Sequence, residues 1–459
     1  INLLLIISVL ILGYFKKFKF FGSSLMFNDN LIQIYTSAKM HYFNQTSFEA
    51  ALNQHTPIIP YIYKYVYYLF EYEKFEIGFS FVVISISLFS SLFIFLICLN
   101  ILKYKIISFQ ISIFFFIFML NGNALNRDIG ILIYLVLIFN LLSYFQTDNL
   151  KNLIAIIFLS ILQIYNLESN VLTIFFINLS ILFFSKAKTR LFKVYMLVAL
   201  VSFTMLYGSF FINSEVSFLM DTNYLFHLQN ISPDFNNASL FNAIGYTYEN
   251  NINLKHITFL AITFLIVKNL KDKKFKIEKL EFILLGWFLV EVLALMITGP
   301  RFWNYGINLI LPTLLIFIYF FSKYLNSKRT HKFEAYAFSF IFMSIFFFTQ
   351  ITDLFDYQNT EKPQALNYEN SSEILGLLNT QETENPQLLL TWIHPGDWEW
   401  FYNSKIALPS TKYWWWFFMR YSQSDMYIWD KNWDVENIIN DFYNDLYIEQ
   451  PEYAIVNIG

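Results

Sequence analysis

Residues 76–101 read EIGFSFVVISISLFSSLFIFLICLNI, and this stretch decides the fold. It holds one charged side chain, Glu76, at its edge, and no proline. About 20 apolar residues cross the hydrocarbon core of a bilayer as a helix, because lipid offers no partner to an unpaired backbone amide. The pattern recurs. Apolar segments fall near 1–15, 76–101, 106–120, 128–145, 153–167, 170–185, 191–213, 256–270, 280–299, 304–325 and 333–351. These predict about eleven transmembrane helices, those near 106, 153 and 170 being the shortest. Over 459 residues, 56% are hydrophobic, 21% aromatic and 14% charged. A soluble chain carries about 25% charged residues. The formal net charge of −3 gives no basis for nucleic acid as a partner. Cys98 is the only cysteine, which excludes an intramolecular disulfide and a cysteine metal site.

Basic loops orient the spans. Lys103 and Lys105, then Lys186, Lys188, Arg190 and Lys193, then Lys268 through Lys279, then Lys328, Arg329 and Lys332 fall on one side. The short loops at 121–127 and 299–303, on the other side, carry one arginine each. The positive-inside rule makes the basic side cytoplasmic, with Lys16–Lys19 the exception. The expectation is a mainly α, polytopic protein of the inner (plasma) membrane with a cytoplasmic N-terminus. Residues 1–351 form the transmembrane module, with outer loops at about 16–75 and 214–255. Residues 352–459 form a small extracytoplasmic α/β domain, in which Leu388–Ile393 and Tyr453–Val456 read as strands and Glu369–Asn379 and Asp434–Tyr447 as helices. Both ends of the chain read as trimmed.

Several polar residues stand out against this apolar background. Asp29 lies about ten residues beyond the first span, where a carboxylate near the headgroups suits proton removal from a hydroxyl. It equally suits a helix N-cap ahead of Leu31-Ile32-Gln33-Ile34-Tyr35. Asp128 follows Arg127 at the outer end of the fourth span, as a cavity acid or as one half of an interfacial pair. Arg301, in Gly299-Pro300-Arg301-Phe302-Trp303-Asn304-Tyr305, can fork onto phosphate oxygens or snorkel beside an aromatic belt. His55, ahead of Pro57 and Pro60, can orient a phosphate, pair with Asp29 or do neither. Glu291 falls inside the ninth span and must face protein or water, lining a cavity or simply hydrogen-bonded. Glu168, in a short outer turn, is a weaker candidate. The run Tyr413-Trp414-Trp415-Trp416-Phe417-Phe418 suits stacking on sugars or lying on the bilayer. No Walker loop, GxGxxG or HExxH occurs, so nucleotide-driven chemistry has no support.

Taken in order, these stretches resemble the GT-C glycosyltransferases, in the branch holding protein O-mannosyltransferase-like and aminoarabinose-transferase-like bacterial enzymes. Asp29 through Tyr42 and Gln54-His55-Thr56-Pro57-Ile58-Ile59-Pro60-Tyr61 look like the family's first outer loop. Asn126-Arg127-Asp128 looks like its second acidic site, and Gly299 through Tyr305 with Leu311-Pro312 like its Arg–aromatic turn. Thr391 through Gly396, Phe401 through Ser404, Leu408 through Tyr413 and Pro451 through Val456 look like its outer tail. Asn30 replaces an acid, and Thr56-Pro57 a more usual double proline. The resemblance implies a polyprenyl-phosphate sugar donor and a lipid, glycan or protein hydroxyl as acceptor. It implies Asp29 as general base, Arg301 on the departing phosphate, Asp128 and His55 shaping the site, Glu291 and Tyr305 lining the cavity, and inversion at the anomeric carbon. It implies no certain cofactor and leaves a divalent metal open. The rivals are an O-antigen polymerase or ligase, which places its long loop late, a lipid or sugar transporter, which needs half-symmetry, and a membrane scaffold.

Overall fold

The computed structural model describes residues 36–37, 40–41, 44–46, 58–70, 75–120, 125–167, 170–184, 188–212, 258, 261–262, 278–298, 307–327, 387–390, 408–409 and 453–455. Among these the chain is overwhelmingly helical. The longer helices are α1 (Ile58–Phe70), α2 (Phe75–Leu102), α3 (Lys105–Leu120), α4 (Leu125–Thr147), α5 (Leu150–Asn166), α6 (Val171–Phe184), α7 (Lys188–Ile212), α8 (Lys279–Thr298) and α9 (Ile307–Ser327). Four stretches, Phe81–Leu102, Arg127–Thr147, Leu191–Gly208 and Asn308–Leu325, are long and apolar enough to cross a membrane. Helix α3, α5 and α6 are shorter, as their sequence stretches predict. The expected spans at 1–15 and 333–351 and the loop at 214–255 lie outside the described residues, and of the one at 256–270 only 258 and 261–262 are described.

The helices start and stop where local chemistry dictates. Pro57 precedes α1, and Pro60 sits in its first turn, where a missing N–H costs nothing. Asn149 caps α5, its side chain accepting from the Lys151 amide at 3.0 Å. Lys103 and Asp148 take left-handed φ values of 63° and 54° after α2 and α4, and their amides donate back to the Leu99 and Tyr144 carbonyls. Within the helices, hydroxyls and amides satisfy themselves locally. Ser87, Ser108, Asn140, Ser143, Ser180 and Thr313 each donate to the carbonyl four residues earlier.

One continuous apolar core joins α1 through α9, with α7 entering it through Leu191 near its start. Helix α2 packs against α1, α3, α4 and α9; α5 packs against α4 and α7; α8 packs against α6 and α9. Polar bonds pin several crossings. Ser91 donates to the Ser112 carbonyl at 2.8 Å between α2 and α3, and Ser322 of α9 to the Ile101 carbonyl of α2 at 2.8 Å. Asn178 of α6 donates to Ser160 of α5 and accepts from Tyr195 of α7. By contrast α7 turns Met196, Leu197, Leu200 and Met205 outward, and such a broad apolar face suits lipid rather than water. Phe176 of α6 covers Gly286 of α8, a close approach that only a missing side chain permits.

In the tail, β1 (Gln387–Leu390) pairs in parallel with β2 (Leu408–Pro409) and β3 (Tyr453–Ile455), in the order β2-β1-β3. Leu388 faces Tyr453 in register. The expected tail helices at 369–379 and 434–447 lie outside the described residues.

Candidate functional site

Polar side chains converge at one end of the bundle, where α4, α6 and α9 begin and α5 ends. Asp128 stands in the first turn of α4, where the helix dipole favours a negative charge, and is 2% exposed. Tyr63, on the inner face of α1 and fully buried, lies within its field. Burial holds the Tyr63 phenol well above its usual range, and the Asp128 carboxylate pushes in the same direction. Helix α1 and the start of α4 therefore meet at an acid and a phenol.

Next to this pair is a narrow crevice of about 10 Å³, the room of about one water molecule, lined by Arg127, Gly130, Tyr134, Gln163 and Asn308, with Ile131, Leu167 and Leu311 as apolar walls. Gly130 makes room for it. A Cβ there would stand 3.1 Å from Gln163 Nε2 and 3.2 Å from Asn166 Nδ2. Pro312, in α9, supplies no N–H to the Asn308 carbonyl one turn earlier, which weakens the ladder where α9 meets the crevice.

Behind Tyr134 lies another buried acid, Glu291. The Tyr134 and Trp287 rings sit 4.9 Å apart. Trp287 Nε1 donates to Glu291 Oε1 at 3.1 Å, and Thr173 Oγ1 donates to the same oxygen at 2.8 Å. Glu291 is 3% exposed, and α6 and α8 are cross-linked through it. A charged side chain in a span needs such partners, and here they come from a neighbouring helix and from one turn earlier on its own.

Of the residues singled out in the sequence, Asp128 and Glu291 fall in this polar region. Asp29, His55, Glu168, Arg301 and Tyr305 lie outside the described residues. Asp128 is buried, and its chain neighbour Arg127 lines the crevice. Tyr63, Tyr134, Gln163, Thr173, Trp287 and Asn308 were not singled out. Polar side chains interrupting otherwise apolar helices were the available signal, and Gln163 in Leu162-Gln163-Ile164 is the clearest case. Among the described residues, no three His, Cys, Asp or Glu side chains converge as a metal-ligand set. The arrangement offers a guanidinium, a phenol and two amides around a small cavity, with a buried carboxylate beside it. That set makes a small polar spot within an apolar bundle, with room for a group about the size of one water molecule.

The chain matches no family model, no curated protein and no solved structure.

Proposed function

We propose that the chain is a membrane glycosyltransferase of the GT-C kind, moving a sugar from a polyprenyl phosphate to a hydroxyl acceptor on the outer face of the plasma membrane. The observation that carries this reading is the polar crevice, lined by Arg127 and adjoining buried Asp128, at one end of a bundle built for lipid. In the proposed reaction the acceptor oxygen attacks the anomeric carbon and the carbon–oxygen bond to the lipid phosphate breaks. The acceptor proton passes to a carboxylate, Asp29 by the family pattern, and the phosphate leaves with its new charge facing Arg301. His55 helps hold that phosphate, Asp128 shapes the acidic side of the site, and Glu291 and Tyr305 line the cavity. A divalent metal stays open in this scheme.

The finer architecture belongs to the same proposal: about eleven spans, a cytoplasmic N-terminus and an extracytoplasmic α/β domain over 352–459. Support for the tail comes from its parallel sheet, and for the orientation from the lysine-rich loops. Two measurements test the function. Cells lacking the chain should change an envelope glycan, and Asp29→Asn should fail to restore it while still folding and retaining the donor lipid. Restoration by Asp29→Asn to the wild-type level would remove the general base from the scheme. An unchanged envelope would remove the transferase.

A further inference from the structure

Helix α1 is laid across one end of the bundle. Ile58, at its start, packs on Tyr165 near the end of α5 and on Tyr207 and Phe210 near the end of α7. Midway, the Tyr63 ring meets that of Phe79 at 5.6 Å and lies within the field of Asp128. Val66 and Phe70 press on Gly78, where a Cβ would come within 2.6 and 2.5 Å of them. A helix running back along α2 would set Tyr63 about a turn or more beyond Phe79, so α1 crosses α2 instead. These contacts fall at the limits of three membrane-length stretches. Phe81–Leu102 opens just after Gly78 and Phe79, Arg127–Thr147 opens beside Asp128, and Leu191–Gly208 closes beside Tyr207. The 13 residues of α1 therefore extend about 20 Å along that boundary.

The outward face of α1 is poorly suited to water. Tyr65, Tyr68 and Leu69 are 67%, 73% and 70% exposed, and Tyr61 lies beside them. Lys64 is the one charged side chain in the helix. A helix with one face in a core and the other in water turns charged and polar side chains outward, whereas α1 turns out phenols and a leucine. Tyrosine is enriched where a membrane meets water, because its ring is apolar and its hydroxyl seeks hydrogen bonds. The same surface runs on into the side of the bundle. The Phe70 ring lies 6.5 Å from that of Phe81, which is exposed at the first position of its membrane-length stretch. We infer that α1 is an interfacial helix whose outer tyrosines sit among lipid headgroups, at the bilayer boundary where α2 and α4 begin. Lys64, partly exposed on the flank of that face, is placed to reach lipid phosphate. Asp128, which α1 covers through Tyr63, then stands at headgroup depth. This placement holds whatever reaction the chain performs.

The test uses the full chain in vesicles of phosphatidylcholine and phosphatidylglycerol, with a fluorescent amino acid, dansylalanine, replacing Tyr65, Tyr68 or Leu69 singly. Lys151, exposed at the start of α5, and Leu200, exposed midway along α7, take the same group as references. At Tyr65 and Tyr68 the emission should be quenched more by phosphatidylcholine brominated near the glycerol than by lipid brominated near the chain end, with the reverse order at Leu200. Iodide in the water should quench both tyrosine positions less than it quenches Lys151. Iodide quenching equal to that at Lys151 puts the face in water. A chain-end preference like that at Leu200 puts it in hydrocarbon, and no quenching by either brominated lipid puts it against protein. Each of these three results overturns the inference. All three replaced side chains point away from the core, and Leu69 decides the matter if neither tyrosine variant folds.

Discussion

Removing the Glu291 carboxylate should destabilise the bundle through the donors it leaves behind. In Glu291→Leu the apolar volume is roughly conserved, so little is lost in packing. What changes is that Thr173 Oγ1, at 2.8 Å, and Trp287 Nε1, at 3.1 Å, lose their shared acceptor in a place water does not reach. Each stranded donor costs about 1–3 kcal/mol, so the pair should cost about 2–6 kcal/mol. Glu291→Gln keeps a carbonyl oxygen at the same reach and should cost less than about 1.5 kcal/mol. The assay is reversible unfolding in mixed micelles, with midpoint and slope fitted for each variant. Thr173→Val placed on the leucine variant should recover part of the loss, because it deletes one stranded hydroxyl, whereas on the wild type it should destabilise. That change of sign is the diagnostic. A leucine variant as stable as the glutamine variant, or a Thr173→Val effect of the same sign in both backgrounds, refutes the reasoning.

Three further outcomes follow from the same coordinates. Burial, and secondarily the charge of Lys64, hold the His41 imidazole below its usual value of 6.5, so its neutral form is favoured in the fold. The unfolded chain then takes up a proton first. Stability contributed by His41 is present above about pH 6.5 and is lost as pH falls below it; melting curves at pH 7.5 and 5.5 should differ less in His41→Asn than in the wild type. Gly286→Ala should destabilise by about 1–3 kcal/mol because its methyl group meets the Phe176 ring, and Phe176→Leu should relieve it in a double-mutant melt. Lys323 pairs with Glu278, which also accepts from Tyr319 at 2.7 Å. With the two charged side chains 36% and 55% exposed, Lys323→Met should shift the unfolding free energy by less than about 1 kcal/mol.

Apolar runs announced the helices closely. The stretch at 76–101 is the helix Phe75–Leu102, and that at 191–213 is Lys188–Ile212, because an unbroken apolar segment in lipid has helix as its one way to satisfy its own backbone. The strand signals at Leu388–Ile393 and Tyr453–Val456 overlap the strands Gln387–Leu390 and Tyr453–Ile455, although nothing local could give their parallel pairing around β1. The site was less legible. Asp128 and Glu291 stood out because a carboxylate in a span is costly enough to need a reason. Gln163, Tyr134 and Thr173 did not, because a single amide or hydroxyl in a helix more often bonds the preceding turn, as Ser87 and Asn140 do here. Which polar side chains share one crevice depends on how α4, α5 and α9 cross, and that is a property of packing between segments far apart in the chain.

Cys98 sits fully buried on α2 among apolar neighbours. Water-soluble maleimides have no route to that sulfur, so these 459 residues are already a blank background for topology mapping. A cysteine introduced singly into the lysine-rich segment 271–279, or beside Gly299, would then report which compartment each one faces, without first engineering away a native thiol.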